Sequence, residues 1–215
     1  MSDSWIVIAS MFEAPEEKRI YGVALALVID NMDSTNAGRV QLRLPWMEGY
    51  EPWARVALPM AGMSYGAYFI PQVGDEVLVA FNHGDISEPY VVGSLWSDKN
   101  VPPAVGALDP RNKRILQTPA GHKLEFDDAE QKITVMHAAG GQVELSAEKI
   151  EMSLGSASIQ IGLNGITIKS AGTLTLQGTT VDIKADGLLN LSGTGKATLD
   201  GGSLCTLSGA MIMIG

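Results

Sequence analysis

Residues 141–178 read GQVELSAEKIEMSLGSASIQIGLNGITIKSAGTLTLQG. Apolar residues recur in this stretch as pairs two positions apart, such as Val143/Leu145 and Ile159/Ile161. Because only alternate side chains of a strand face the same side, each pair indicates one short strand with an apolar face and a polar face. Gly, Ser and Asn separate the pairs, which is typical of turns. The stretch therefore predicts a series of short β-strands.

The same pattern continues towards the C-terminus. One inward apolar position per strand gives the series Val143, Ile150, Ile159, Ile166, Leu174, Val181, Leu189, Ala197 and Cys205, which is eight steps over 62 residues. Repetition at this spacing predicts a β-solenoid or β-helix, in which each strand pairs with neighbours above and below it. One chain coiling alone would form about three or four coils, whereas three chains wound together would form about ten levels of strands.

Composition favours the second arrangement. Beyond Phe126 there is no aromatic residue and no proline, while 14 of the 24 glycines lie there. A narrow three-sided core has no room for a ring, and proline would remove a hydrogen-bond donor from an interior strand. We therefore predict an intertwined triple-stranded β-helix, and with it a homotrimer.

The first part of the chain has a different character. Segments rich in Val, Leu and aromatic residues alternate with Gly, Pro, Asn and Asp clusters, which predicts strands near residues 21–30, 39–44, 53–58, 76–81 and 90–95. Five short strands favour a small closed barrel over an α/β layer, and no helix is predicted. The fold class is all-β. The predicted units are an N-terminal arm (1–20), the barrel (21–100), a linker and entry to the needle (101–130), and the β-helical spike (131–215).

Charge and cysteine content exclude several classes of function. The formal net charge of −9 has the wrong sign for a grip on phosphate backbones, so no nucleic-acid partner is expected. The single cysteine, Cys205, cannot form an intrachain disulfide or a cysteine-rich metal cluster. We predict no metal and no cofactor, and we expect Cys205 to be buried in an inward position of the repeat.

The histidines do not predict a catalytic site. His83 and Asp85 flank Gly84 between two predicted strands, where we expect a turn. His122, with Asp127 and Asp128, offers a base beside carboxylates, but nothing in the sequence places these groups in a pocket. His137 precedes a glycine-rich turn and is expected at the surface. Residues 193–196 (GTGK) lack the other positions of a phosphate-binding loop. No enzyme is predicted.

The N-terminal residues give no targeting signal. The apolar stretch at residues 5–11 is short and has no basic region before it, so neither a signal peptide nor a membrane span is expected. We expect the protein to be made in the cytoplasm and to leave cells only as part of an assembly.

Five blocks of sequence resemble one known family, in the family's order. They are GRVQLRLPW (38–46), WARVALP (53–59), PQVGDEVLVAF (71–81), GDISEPYVVGSL (84–95) and TPAGHKLEFDD (118–128). The first four are similar to the OB-fold of the spike family of contractile injection machines, and the fifth resembles the segment leading into that family's β-helix. The family includes phage baseplate spikes of the assembly-protein-V type and the VgrG proteins of type VI secretion.

This resemblance implies a homotrimeric spike built into the baseplate of a phage tail or phage tail-like particle. Such a spike joins a hub to a tip, contacts baseplate and tube proteins, and meets the target membrane only transiently as it pierces it. The chain has only about twenty residues before the barrel, where VgrG chains carry a hub-like region, so a separate hub protein is implied. The candidate hub contacts are Trp5, Ile6, Ile8 and Phe12.

The C-terminal residues differ from family members that bind iron at the apex through a His-x-His motif. They are apolar instead, and resemble termini covered by a separate PAAR-type tip protein. The candidate tip contacts are Met211, Ile212, Met213, Ile214 and Gly215.

The main alternative is a binding module whose OB-fold holds an oligosaccharide or single-stranded nucleic acid. Its stacking platform would be formed by Trp46, Trp53, Tyr65, Tyr68 and Phe69. A cell-wall hydrolase is a third possibility, but the sequence shows no credible pair of catalytic carboxylates.

Overall fold

The structure, a computed structural model, describes residues 19–103 and 111–213. Within these ranges the chain forms strands and turns but no helix, which confirms the predicted all-β class. No helix that could cross a membrane is therefore found in the described ranges.

The strands follow one another in two groups. The first group comprises β1 (Val23–Asp30), β2 (Val40–Arg43), β3 (Trp53–Val56), β4 (Ala61–Gly62), β5 (Tyr65–Gly66), β6 (Glu76–Asn82) and β7 (Asp85–Leu95). The second comprises β8 (Lys113–Gln117), β9 (Lys123–Asp127), β10 (Lys132–Met136), β11 (Gln142–Leu145), β12 (Lys149–Leu154), β13 (Ala157–Gly162) and β14 (Gly165–Lys169).

Five strands close into a barrel in the order β1-β2-β3-β7-β6, as predicted. All neighbours are antiparallel except β3 and β7, which are parallel. Strand β7 begins at Asp85 rather than near residue 90, because Asp85 already pairs with Asn82 of β6, and the strand therefore includes Pro89. Pro89 is tolerated there because the pairing of β7 with β3 begins only at Tyr90, so a missing N–H on that side breaks no ladder.

The barrel core is filled by alternate side chains of the strands. The fully buried side chains include Val28, Val40, Leu42, Leu44, Val77, Val79 and Val91. They alternate with outward residues, as the two-residue period of a strand requires. Among the described residues, the buried core of the barrel is apolar.

The barrel has two ends, which we call the entry end and the exit end. At the entry end, the Ile20 amide donates a hydrogen bond to the Gly84 carbonyl in the β6–β7 turn, at 2.9 Å. His83 (φ 47°) and Gly84 (φ 82°) form that turn, as predicted. Strands β3 and β7 both run away from it, so the connection from β3 to β6 and the residues after Leu95 lie at the exit end.

The β3–β6 connection, residues 57–75, carries a feature that the sequence did not predict. Strands β4 and β5 pair as a small hairpin, too short to show an alternating pattern. The base of the connection is fixed, because the Asn31 side-chain amide donates to the Pro71 carbonyl at 3.1 Å and Ile70 packs against the core. The hairpin therefore projects from an anchored base at the exit end.

The second group forms one seven-stranded sheet in the order β14-β13-β12-β11-β10-β9-β8. Each strand is antiparallel to the next. Two of them, β8 and β9, lie in the segment 101–130 that was expected to link the domains. Up to Lys169, the strands of the repeat pair with one another within one chain. The sequence predicted pairing between three intertwined chains instead. Glycines with positive φ reverse the chain between strands, as at Gly140 (98°) and Gly155 (56°).

Residues 170–213 behave differently from the sheet. They form no strand within the chain, and every one of them is exposed. Their apolar pairs, such as Leu174/Leu176 and Val181/Ile183, are at least half exposed. The repeat seen in the sequence therefore has intrachain partners in its first half only.

Shortening a core side chain of the barrel should destabilise it. Leu42→Ala should lower the free energy of unfolding by about 2–5 kcal/mol, because Leu42 is completely buried. Met32→Ala is the control and should change stability by less than about 0.5 kcal/mol, since Met32 is 81% exposed. Urea unfolding followed by tryptophan fluorescence reports on the barrel, because all four tryptophans precede residue 97. Equal effects of the two substitutions would contradict the assigned core.

Candidate functional site

One face of the seven-stranded sheet is apolar except at Arg114 on the edge strand β8, which pairs with Phe126. Cross-strand pairing aligns its side chains in two rows, because directly paired residues point to the same side. The first row is Leu116, Leu124, Val135, Val143, Met152, Ile159 and Ile168; the second is Phe126, Ile133, Leu145, Ile150, Ile161 and Ile166. The β11–β14 part of these rows follows the inward positions that the sequence predicted.

This apolar face is open in the single chain. Leu124 and Val143 are partly buried, but the other residues of the two rows are exposed, and the exposed fraction reaches 69% at Ile166 on the edge strand β14. Monomeric soluble proteins rarely leave so large a continuous apolar surface uncovered. Completing the burial of each half-exposed Leu or Ile would contribute roughly 1 kcal/mol. The face therefore has the properties of an assembly interface.

The opposite face of the sheet is polar and carries ion pairs. The Lys113 ammonium lies 2.8 Å from Glu125 and 3.1 Å from Asp127. Lys149 lies 3.6 Å from Glu144 and also pairs with Glu151, which stands opposite Glu144 on the next strand. Lysines thus neutralise carboxylates that would otherwise repel each other across the ladder.

These contacts shift the ionisation of the buried carboxylates. The pKa of Glu125 is lowered, first by the hydrogen bond from Lys113 and then by that from Lys123. The pKa of Asp127 is lowered chiefly by the Glu130 amide, which donates at 2.9 Å, and by Lys113. The same contacts raise the pKa of Lys113. All three groups stay charged at neutral pH, so the two faces of the sheet remain chemically distinct.

Two family models match this chain, and they divide it as the strands do. Residues 24–96 match the type VI secretion system/phage-baseplate injector OB domain. Residues 113–214 match the phage baseplate V C-terminal trimerisation domain. The chain belongs to the phage-baseplate and VgrG-like spike family. Its barrel is the family's OB domain, and its open apolar face and unpaired C-terminal residues lie in a trimerisation domain.

Curated relatives agree with this assignment. The chain is 34% identical over 125 residues to a type VI secretion system spike protein, VgrG3, from Vibrio cholerae, across 53% of this chain. It is 33% identical over 113 residues to the actin cross-linking toxin VgrG1 of the same species, across 47% of this chain. It is 35% identical over 95 residues to the spike protein VgrG2a of Pseudomonas aeruginosa, across 40% of this chain.

The relatives are much longer proteins, since the chain spans 11%, 10% and 11% of their respective lengths. Both matched models describe structural modules, an OB domain and a trimerisation domain. The chain therefore carries the family's OB domain followed by its trimerisation domain.

The candidate contact residues lie at the two ends of the chain. Trp5, Ile6, Ile8 and Phe12 lie outside the described residues, as do Ile214 and Gly215. Met211, Ile212 and Met213 are described, and their exposed fractions are 80%, 53% and 85%. Three apolar side chains thus stand uncovered near the C-terminus.

The histidines do not form a catalytic site with the acidic residues. His122 directly precedes β9 and Asp127 ends it, so the two residues lie at opposite ends of the strand. His122 instead contacts His137, with ring centroids 4.4 Å apart, and its Nδ1 accepts a hydrogen bond from the Ala138 amide at 3.3 Å. His137 is exposed, as predicted, but its contact with His122 was not expected.

The structure corrects the prediction for Cys205. It was expected in a buried inward position, but it is exposed in the single chain. The reason is that residues 170–213 have no strand partner in the same chain, so no core forms around the thiol there.

The aromatic residues of the alternative function do not form one platform. Trp53 begins β3 and Trp46 precedes it, so both lie towards the entry end. Tyr65, Tyr68 and Phe69 lie in the β3–β6 connection at the exit end. Trp46 packs edge-on against Phe81, and the Arg39 guanidinium lies 5.7 Å from the Trp53 ring. A strand of nucleic acid or sugar would find the stacking surfaces on opposite ends of the barrel.

Acid should weaken the second sheet through Asp127. A carboxylate with a lowered pKa stabilises the fold above its unfolded pKa of about 3.8, and that contribution is lost as the pH falls through the lowered folded value. Asp127→Asn should therefore lower the urea midpoint at pH 7, and the difference from the unaltered protein should shrink towards pH 2. Circular dichroism in the β region follows the transition.

Asp128→Asn is the matched control, because Asp128 is exposed and lies beside Asp127. Its urea midpoint at pH 7 should stay close to that of the unaltered protein, since the substitution is at the surface. A pH-independent effect of Asp127→Asn would contradict the electrostatic role of this group.

Proposed function

We propose that the chain is the central spike of a contractile injection machine, which connects a hub to a tip and pierces the target envelope. The observation that carries this proposal is the state of residues 170–213. They hold a regular strand pattern but have no partner within the chain, and they belong to a domain that trimerises. Two further copies supply the missing partners by winding with them into a triple-stranded β-helix.

The mechanism is mechanical rather than catalytic. In an intertwined prism, each strand bonds to strands of the other copies, so an axial load falls on many backbone hydrogen bonds at once. The apolar residues of all three copies fill one narrow core, and the outward polar residues leave no free strand edge. A rod of this kind transmits force without a hinge.

The two ends of the spike have different partners. The residues before the barrel, with Trp5, Ile6, Ile8 and Phe12, dock on a separate hub protein at the entry end. At the other end, the residues from Met211 to the C-terminus form an apolar surface that a PAAR-type tip protein covers. An exposed apolar end on each of three copies would otherwise promote aggregation. Baseplate and tube proteins complete the assembly, and the target membrane is met only during piercing.

Removing residues 170–215 should abolish the trimer. The native mass should fall from three chains to one, and binding of a hydrophobic dye should rise, because the apolar face of β8–β14 loses its cover. Light scattering after size exclusion gives the mass. A shorter truncation, removing residues 210–215, is the control and should leave the trimer intact. If the chain ending at residue 169 stays trimeric, the C-terminal residues do not hold the spike together.

Replacing the apolar end should weaken capture of the tip protein. The double substitution Met211→Ser, Met213→Ser should weaken binding of a PAAR-type protein at least about tenfold, since two exposed apolar anchors are lost. The native mass should remain that of three chains. Lys184→Ala, on an exposed residue nearer the sheet, is the control for calorimetric binding. Unchanged binding by the double variant would place the tip contact elsewhere.

A further inference from the structure

The outer surface of the barrel carries an apolar strip that the barrel itself does not need. Strand β1 buries Ala26 and Val28 inside the barrel, but its outward residues Val23, Leu25 and Leu27 are also apolar. Their exposed fractions are 60%, 49% and 38%. A strand that is apolar on both faces is typical of one that is covered on both faces. In the described part of the single chain, the outward face of β1 is not covered.

Next to this strip lies a groove of about 410 Å³. Leu25, Leu27 and Pro45 form its apolar floor, and residues 97–100 form a polar wall. The wall is held in place by the Asn100 side chain, which donates to the Gly74 carbonyl at 3.1 Å. The wall also begins the segment that leads to the trimerisation domain, which starts at residue 113. The groove thus lies beside the point where the chain leaves the barrel.

The β4–β5 hairpin supplies a surface of the complementary kind. Residues 59–69 carry no charged side chain. Met63 at the hairpin tip is 92% exposed, and Tyr65 and Tyr68 are also exposed. The hairpin projects from the exit end of the barrel, and β1 ends there too, since Val28 accepts from and donates to residues 74–75. Each copy thus presents a projecting apolar surface and an apolar groove, and the groove is not filled by its own hairpin.

Threefold symmetry requires two different contact surfaces on each copy. In a closed ring of three copies, every contact is heterologous and joins two different surfaces. We infer that the β4–β5 hairpin of one copy inserts Met63 into the groove beside β1 of the next copy, so that the three barrels close into a ring. This inference rests on the homotrimer. It assigns the barrel a role in assembly that is additional to the C-terminal domain.

Peroxide footprinting of the unaltered trimer tests the inference. Met63 and Met32 have similar exposures in the single chain, at 92% and 81%. A large difference between their oxidation rates in the trimer therefore reports a contact between copies that covers one of them. Because oxidation of methionine follows its accessibility, Met63 should oxidise at least about tenfold more slowly than Met32 in the trimer. Mass spectrometry of peptides measures both rates. Equal rates would overturn the inference.

Chemical cross-linking identifies the partner of the hairpin. The double variant Leu25→Cys, Met63→Cys, in a Cys205→Ser background, should give covalent dimers and trimers with a short bismaleimide. Each single-cysteine variant should give none, because a heterologous contact does not bring identical positions together. A cross-link within one chain, or no cross-link in a protein of trimeric native mass, would overturn the inference. A native mass of one chain would overturn the homotrimer itself, and the inference with it.

Discussion

The need to cover an apolar sheet face governs this protein. Strands β8–β14 place two rows of aliphatic side chains on one side, and a single chain leaves them half exposed. Water opposes this exposure with a free-energy cost proportional to the apolar area. Residues 170–213 follow the sheet, and their backbone groups have no strand partner within the chain. Leaving these groups unpaired adds a second free-energy cost. A trimer removes both costs, because each copy provides the cover and the strand partners that another copy lacks.

The polar face of the same sheet is satisfied within one chain, which leaves the apolar face as the side for association between copies. Lys113, Glu125 and Asp127 satisfy one another within the chain, so this face needs no partner. These ion pairs form within the single chain, so the charges are compensated before any assembly. The sheet thus has one face that is complete and one that is not, and the difference directs association to the apolar side.

The barrel and the C-terminal domain have opposite relations to the rest of the assembly. The barrel completes its core alone, with fully buried Leu42 and Val79, whereas the sheet of the C-terminal domain leaves its apolar face open in the single chain. Entry at Gly84 and exit beyond Leu95 place the barrel's neighbours in the chain at its opposite ends. The barrel thus needs no partner to form its core, whereas the sheet of β8–β14 has a face left to cover.

The sequence by itself determined the all-β class, the five barrel strands and the apolar positions of the repeat. Strand periodicity is a local property, and pairs such as Ile159/Ile161 reveal it without knowledge of any partner. Only the tertiary structure decided that β8–β14 pair within the chain while residues 170–213 do not, because both parts show the same alternation. The β4–β5 hairpin, the His122–His137 contact and the outward apolar side of β1 were also beyond the sequence. Each depends on which distant residues meet, and only the folded chain determines that.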